Sequence, residues 1–424
     1  MYEGDIYMKK LVIQGGRELS GTINISGAKN SVVALIPASI LTKGKCVIHN
    51  VPNISDVEAL MNIMKFLGSD IRYENETIYI DNSKVENKYI PDEYANKLRA
   101  SYYFMGSLLG VYGKVNIASP GGCVIGSRPI DFHLKSFEKM GAKVKEVENS
   151  FNITSNGLKA TEVFFDFPSV GATINVMIAA VRAKGVTRIL NAAREPEIEN
   201  IANFLISMGA HIKGAGTGTI VIEGVTNLGD GEVTVIPDRI EAGTYVIIGA
   251  LIGKKLRIKG VIPEHIDSLL YKLKEMGVSF KITGDVIEIS KTKNLKPVNI
   301  KTTVYPGFPT DLGQPMSTLL TQCSGECVFE ETIYENRLRH IPYLNAMGAN
   351  INTLDKKAVV FGPSKLRGRK VKATDLRAGA SMLVAGMIAS GQTTVTNVEH
   401  LLRGYERIVD KLNDVGGNIK LIDE

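Results

Sequence analysis

The chain is poor in the residues that metal sites and disulfide frameworks need: its 424 residues hold four cysteines and six histidines. Four cysteines in a chain of this length do not make the framework of a small secreted domain. Cys323 and Cys327 are spaced like half a metal site, but no second pair accompanies them. Cys327 opens a strand pattern after Gly325 just as Cys46 does after Gly44, and no metal is expected. The histidines form no ligand pair at helical spacing, and no Ser/His/Asp set is evident. No apolar run approaches the ~18 residues that a membrane-spanning helix requires. The net charge is +6, yet there is no run of five or six basic residues and no interleaving of basic residues with aromatics. Nucleic acid and membrane insertion are therefore not expected, while a small anionic substrate stays open. Met1 to Lys10 lack the apolar stretch of a secretory leader, so a cytoplasmic location is expected.

What remains is an ordinary globular composition, 44% hydrophobic and 22% charged, with a length that suggests roughly two to four domains. The strongest internal signal is repetition. An apolar residue followed by glycine closes a helix pattern at Gly68, Gly141, Gly209, Gly277, Gly348 and Gly416, with spacings of 73, 68, 68, 71 and 68 residues. Glycine suits the left-handed turn just past a helix end. A strand pattern follows each, as in Ile71–Ile80 and Val278–Ile289. Each unit has the same order: an apolar helix rich in small residues (Ser31–Leu41, Ala378–Ala389), a glycine turn, a strand, and an amphipathic helix (Asp56–Phe66, Ile198–Ser207). The first helix is apolar on nearly every face and must be buried. These units are longer than the roughly 20–50 residues of common solenoids. Six of them predict an α/β protein with helices inside and sheets outside, in two clusters of three. Pro237-Asp238 marks the boundary between the clusters. The strand Lys10–Gln14 precedes the first unit and is free to pair with the second domain.

One loop concentrates chemistry: Pro120-Gly121-Gly122-Cys123-Val124-Ile125-Gly126-Ser127-Arg128-Pro129. Its glycines and prolines give turn chemistry. Cys123 is either a small apolar residue in a surface turn or a thiol made reactive by the nearby Arg128. Aligning the units on the glycine that ends each apolar helix places Asn30, Arg99, Gly171, Arg239, Asp311 and Arg377 fourteen residues upstream, at helix starts, with Lys29 one residue earlier. Helix N-termini suit anions. Asp311 is either an N-cap or a functional carboxylate. Lys29, Arg99 and Arg377 oppose the helix dipole and so need an anionic partner. Arg128, Arg337 and Arg403 lie near starts of the second helices. Both halves of the chain supply members of this set, which points to a cleft closed by the Cys123 loop. Gly214-Ala215-Gly216-Thr217-Gly218 imitates a dinucleotide fingerprint but precedes a strand, so it is a turn. Ser26-Gly27-Ala28-Lys29-Asn30-Ser31 lacks the full spacing of a phosphate loop.

Several segments together carry a resemblance. They are Ile25-Ser26-Gly27-Ala28-Lys29-Asn30, Pro120-Gly121-Gly122-Cys123, Arg128-Pro129-Ile130-Asp131, Asn191-Ala192-Ala193-Arg194-Glu195-Pro196-Glu197, Pro306-Gly307-Phe308-Pro309-Thr310-Asp311, Glu335-Asn336-Arg337, Asp375-Leu376-Arg377-Ala378 and Arg403-Gly404-Tyr405-Glu406. Across essentially its whole length the chain resembles the UDP-N-acetylglucosamine 1-carboxyvinyltransferase family of enolpyruvyl transferases. The resemblance implies two inside-out α/β barrel domains of three repeats each, residues 29–236 and residues 1–28 plus 237–424. It implies transfer of the enolpyruvyl group of phosphoenolpyruvate to the 3-hydroxyl of UDP-N-acetylglucosamine with release of phosphate, the first committed step of peptidoglycan precursor synthesis. No cofactor is implied. Cys123 would be the general acid and Asp311 the base. Lys29, Asn30, Arg128 and Arg403 would hold phosphoenolpyruvate, with Lys29 and Arg403 also catalytic. Asn30, Arg99, Arg128, Pro129, Ile130, Asp131, Phe132, Ser169, Val170, Gly171, Asp311 and Ile333 would hold the UDP-sugar. Arg337, Asp375 and Arg377 would serve closure and product release.

Three departures stand out. Leu402 occupies a position where the family often has aspartate, Phe167 one where some members place lysine, and seven residues precede Met8, an alternative start. The sister enzymes acting on shikimate 3-phosphate lack the loop cysteine and the Ala-Ala-Arg-Glu-Pro-Glu segment, so Cys123 and Arg194 argue against them. A non-catalytic UDP-sugar-binding regulator is the alternative of another class.

Overall fold

The computed structural model describes residues 9–121 and 130–423. They divide into two compact units, residues 27–121 with 130–236, and residues 9–26 with 237–423.

Each unit contains three helices buried along most of their length. In the first these are Lys29–Ala38, Tyr103–Tyr112 and Val170–Ala180. In the second they are Arg239–Ile252, Thr310–Leu320 and Leu376–Ile388. In Arg239–Ile252 every residue after Arg239 is buried, as a largely apolar helix requires, and its Glu241 and Thr244 are buried with it. The expected Ser31–Leu41 helix is Lys29–Ala38, continued by a 3-10 turn through Leu41. The amphipathic class is represented by Ser55–Phe66 and Pro196–Ser207, each burying one face. Close packing of the inner helices constrains composition. A Cβ on Gly106 would lie 2.4 Å from Asn175 Oδ1 and 2.6 Å from the Asn175 carbonyl oxygen, so only glycine lets those two helices meet there.

The six repeat-marking glycines, Gly68, Gly141, Gly209, Gly277, Gly348 and Gly416, all have left-handed φ between 83° and 108°, as helix-terminating glycines should. The single strands expected at Ile71–Ile80 and Val278–Ile289 are instead hairpins. Asp70–Glu74 pairs antiparallel with Thr77–Asp81, and Phe280–Thr283 with Val286–Ile289. The reversal comes from Asn75 and Glu76, both at positive φ, the backbone that a tight hairpin turn demands.

Sheet topology repeats as well. In the first unit Lys45–His49 pairs antiparallel with Thr77–Asp81 and parallel with Gly231–Thr234, a strand from the unit's far end. In the second, Gly253–Lys259 pairs antiparallel with Val286–Ile289 and parallel with Leu19–Asn24. The N-terminal strand Lys9–Gln14 sits antiparallel between Gln392–Thr396 and Ile419–Asp423. Its alternation buries Leu11 and Ile13. The glycine-rich stretch 214–218 is indeed a turn, between the strands His211–Lys213 and Thr219–Glu223.

Candidate active site

The aligned positions all fall within the first two residues of a helix: Asn30, Arg99 (opening a 3-10 turn), Gly171, Arg239, Asp311 and Arg377. Each unit therefore gathers its candidate residues through helix N-termini. Cys123, Arg128 and Pro129 lie outside the described residues.

In the first unit, Lys29 and Asn30 open Lys29–Ala38, whose N-cap Ala28 offers no side-chain acceptor. Lys29 opposes the helix dipole there, and its anionic partner belongs to the protein. Lys29 Nζ lies 3.0 Å from Oδ2 of Asp56, which is 2% exposed. Asp56 was not singled out in the sequence, where it is one more acidic residue in the first turn of an amphipathic helix.

The UDP-sugar candidates of this unit surround a buried polar knot. Ser169 caps Val170–Ala180 by accepting from the Ala172 amide at 3.3 Å. Within that helix Asn175 Oδ1 accepts from the Gly106 amide (2.8 Å), and its Nδ2 donates to the Tyr102 carbonyl (2.9 Å) and meets His133 Nδ1 (2.9 Å). With Nδ2 donating, Nδ1 accepts, and the His133 proton belongs on Nε2. Burial, reinforced by the charge of Arg99 and opposed by Asp131, pushes the His133 pKa down to about 3, so the ring is neutral. A Cβ on Gly171 would stand 2.7 Å from the Tyr102 hydroxyl and 3.2 Å from His133 Nε2. Glycine thus keeps the start of this helix open beside two polar groups. Ile130 is the N-cap of Asp131–Lys139, Asp131 is 3.4 Å from Lys135 Nζ, and Phe132 packs on Phe165 with ring centroids 5.9 Å apart. Phe167 is exposed. Asn175 did carry a sequence signal, being polar in an otherwise apolar helix. His133 carried none.

In the second unit a charged cluster forms around Asp311. The N-cap alternative for Asp311 does not hold: the N-cap of Thr310–Leu320 is Pro309, and no side chain caps it. Asp311 instead uses both oxygens on guanidinium groups, Oδ1 on Arg337 and Oδ2 on Arg377 at 2.9 Å. Both arginines are buried. Asp375 is the N-cap of Leu376–Ile388, accepting from the Arg377 and Ala378 amides at 2.9 and 3.1 Å, and it lies 3.6 Å from Arg337 Nη1. Gln314 ties the cluster together, donating to the Arg337 carbonyl (2.9 Å) and to Asp375 Oδ2 (3.1 Å). Burial opposes the Arg377 charge, but Asp311, Tyr405 and Asp238 outweigh it and hold its pKa above the ordinary arginine value. Ile333 is placed by the fully buried Glu331, whose Oε1 accepts from the Ile333 and Tyr334 amides (2.7 and 3.1 Å), while Oε2 accepts from Thr310 Oγ1 (2.8 Å).

Two placements differ from expectation. Arg403 sits at the end of the one-turn helix Glu399–Leu402, not near a start, and Arg337 lies four residues ahead of Ile341–Ala346. Residues 404–407 lie outside any helix, between Glu399–Leu402 and Ile408–Asp414. A Ser/His contact does exist, Ser317 Oγ to His340 Nε2 at 2.6 Å, but both residues are fully buried and no substrate can reach them. Leu402, at the position often held by aspartate, packs on the apolar core of this unit.

Comparison with known proteins identifies the family. The family model of EPSP synthase (3-phosphoshikimate 1-carboxyvinyltransferase) matches residues 13–412. UDP-N-acetylglucosamine 1-carboxyvinyltransferase 2 of Listeria monocytogenes is 50% identical over 410 residues, 97% of each chain. UDP-N-acetylglucosamine 1-carboxyvinyltransferase 1 of Streptococcus agalactiae is 50% identical over 419 residues, 98% of this chain and 100% of its own. Among solved structures, the enolpyruvyl transferase NikO of Streptomyces tendae superposes with a TM-score of 0.90 at 26% identity, covering 98% of this chain and 99% of its own. EPSP synthase of Acinetobacter baumannii shares the fold, with a TM-score of 0.76 at 17% identity over 98% of this chain and all of its own. The chain has the mixed α/β fold of these enzymes and belongs to the EPSP synthase (3-phosphoshikimate 1-carboxyvinyltransferase) family, within it to the UDP-N-acetylglucosamine 1-carboxyvinyltransferases.

Proposed function

We propose that this chain is an enzyme that moves the enolpyruvyl group of phosphoenolpyruvate onto the 3-hydroxyl of UDP-N-acetylglucosamine and releases phosphate. The observation that carries this reading is the 50% identity over nearly the whole chain to relatives named for that activity. The two compact units with three buried helices each support a pair of inside-out barrels, residues 29–236 and residues 1–28 plus 237–424.

In the proposed chemistry the sugar oxygen attacks C2 of phosphoenolpyruvate while C3 gains a proton, giving a tetrahedral ketal. Loss of a C3 proton and of phosphate, with the bridging oxygen, then restores the vinyl group. Cys123 delivers the proton to C3. Lys29, Asn30, Arg128 and Arg403 take the phosphate and carboxylate, each charge-assisted hydrogen bond contributing roughly 1.5–3 kcal/mol. The Asp56 carboxylate, 3.0 Å from Lys29 Nζ, holds that ammonium at the helix start. Arg99, Pro129, Ile130, Asp131, Phe132, Ser169, Val170, Gly171 and Ile333 hold the UDP-sugar. Asp311 receives the proton of the sugar hydroxyl. Its carboxylate is oriented by two guanidinium partners, Arg337 and Arg377. It serves as the acceptor that aligns the hydroxyl and takes its proton as bond formation acidifies that oxygen. Arg337, Asp375 and Arg377, held in one cluster with Asp311, govern closure and product release.

The test is isotopic. Phosphoenolpyruvate labelled with heavy oxygen at the bridging position should deliver the label to inorganic phosphate when UDP-N-acetylglucosamine is present. The Cys123→Ala and Asp311→Asn variants should slow that release. Label retained in the organic product, or unchanged turnover by both variants, would overturn the assignment.

A further inference from the structure

Arg403 ends the helix Glu399–Leu402, and residues 404–407 run outside any helix until Ile408. A guanidinium on such a turn is placed by whatever holds the turn. Three anchors do so. Tyr405 is fully buried, with its hydroxyl 2.9 Å from Thr244 Oγ1 and its ring 5.5 Å from the Arg377 guanidinium. Arg407 adopts φ 47°, a left-handed backbone that a non-glycine residue keeps only when its surroundings impose it. Between them Glu406 Oε2 accepts a 2.5 Å hydrogen bond from Ser26 Oγ.

Ser26 belongs to a closed ring. Its Oγ accepts from Lys411 Nζ (2.6 Å), Lys411 Nζ also donates to Glu241 Oε1 (2.7 Å), and Glu241 Oε2 accepts from the Ser26 amide (2.8 Å). Glu241 is 2% exposed. Burial pushes its carboxyl up to about 7, against the pull of Lys411. Holding two carboxylates and one ammonium in so enclosed a place is costly unless every partner is kept. None of Ser26, Glu241, Glu406 and Lys411 has a role in the chemistry above.

We propose that Ser26, Glu241, Glu406 and Lys411 are positioning residues for Arg403: the ring fixes Glu406, Glu406 and Tyr405 fix the turn, and the turn sets where the Arg403 guanidinium meets an anion. The inference rests on the reading of Arg403 as a ligand of phosphoenolpyruvate. A displacement of about 1 Å at such a group costs on the order of a hundredfold in rate.

The experiment compares wild type, Ser26→Ala, Ser26→Thr and Glu406→Gln for KM toward each substrate, in the native background and with Arg403→Lys. Ser26→Ala and Glu406→Gln should raise the KM for phosphoenolpyruvate about tenfold and leave that for UDP-N-acetylglucosamine within about twofold. Ser26→Thr, which keeps the hydroxyl, should restore it. In the Arg403→Lys background Ser26→Ala should add less than about twofold, because its effect passes through the arginine. Equal effects on both substrates, full additivity with Arg403→Lys, or no effect of either variant would overturn the inference while leaving the function intact. A wild-type protein without UDP-sugar turnover would overturn the functional reading and the inference with it.

Discussion

Replacing Asp311 by asparagine tests the charged cluster itself. The substitution removes the charge that both Arg337 and Arg377 use, and each of these side chains is 5% exposed or less. Asp375, 3.6 Å from Arg337 Nη1 and already engaged by two amides, then remains beside Arg337, and Asp238 remains near Arg377. Stripping one partner from a buried ion pair costs about 3–5 kcal/mol, and the asparagine oxygen keeps an acceptor, so the lower end, about 3 kcal/mol, applies. At about 2–4 °C per kcal/mol for a domain of this size, the melting temperature should fall by roughly 6–12 °C. Adding Arg337→Met to Asp311→Asn removes one stranded charge and should recover a substantial part of that loss, since apolar replacements of buried ion pairs are often neutral. Thermal denaturation by calorimetry or circular dichroism reads both effects. An Asp311→Asn protein melting within about 1 °C of wild type would refute the reasoning, and so would a double variant less stable than the single one. Loss of turnover in Asp311→Asn therefore needs its melting curve beside it before it counts for proton transfer.

Three further outcomes are expected. His133 holds its proton less tightly in the fold (about 3) than in the unfolded chain (6.5), so acid favours unfolding. Stability should drop as pH falls below 6.5, by up to about 1.4 kcal/mol per unit, and His133→Asn should flatten that slope in pH-dependent melting. Gly106→Ala should destabilise by about 1–3 kcal/mol in denaturant titration, because its Cβ would press on Asn175 backbone and side chain; an unchanged midpoint would contradict the packing. Asp56→Asn should lower kcat/KM for phosphoenolpyruvate about tenfold and spare the KM for the UDP-sugar, and steady-state kinetics with either substrate varied would show it.

Much of the architecture was legible because it depends on short-range rules. Helix-ending glycines recur at a fixed interval, and all six adopt left-handed φ. Counting back from a second set of glycines found the helix starts to within a residue, where Lys29, Asp311 and Arg377 lie. The first hairpin was missed because Asn75-Glu76 is not a strong turn dipeptide, and the second because the turn signal of Gly284-Asp285 was passed over. The supporting polar groups were illegible for a different reason. Asn175 meets His133 across 42 residues, Lys411 meets Glu241 across 170, and Ser26 meets Glu406 across 380. A pattern read along the chain assigns each of these to a helix face or a turn and says nothing of its partner. Asp56 and Glu331 were passed over likewise, as an ordinary first-turn acid and a strand-end acid, although each holds a candidate ligand in place.

The most direct measurement of the account is phosphate release from phosphoenolpyruvate by the purified protein, alone, with UDP-N-acetylglucosamine, and with shikimate 3-phosphate. The account predicts release with the UDP-sugar, accompanied by its enolpyruvyl ether in the mass spectrum, and none above background with shikimate 3-phosphate. Release driven by shikimate 3-phosphate, or none with the UDP-sugar from folded protein that still binds it, would contradict it.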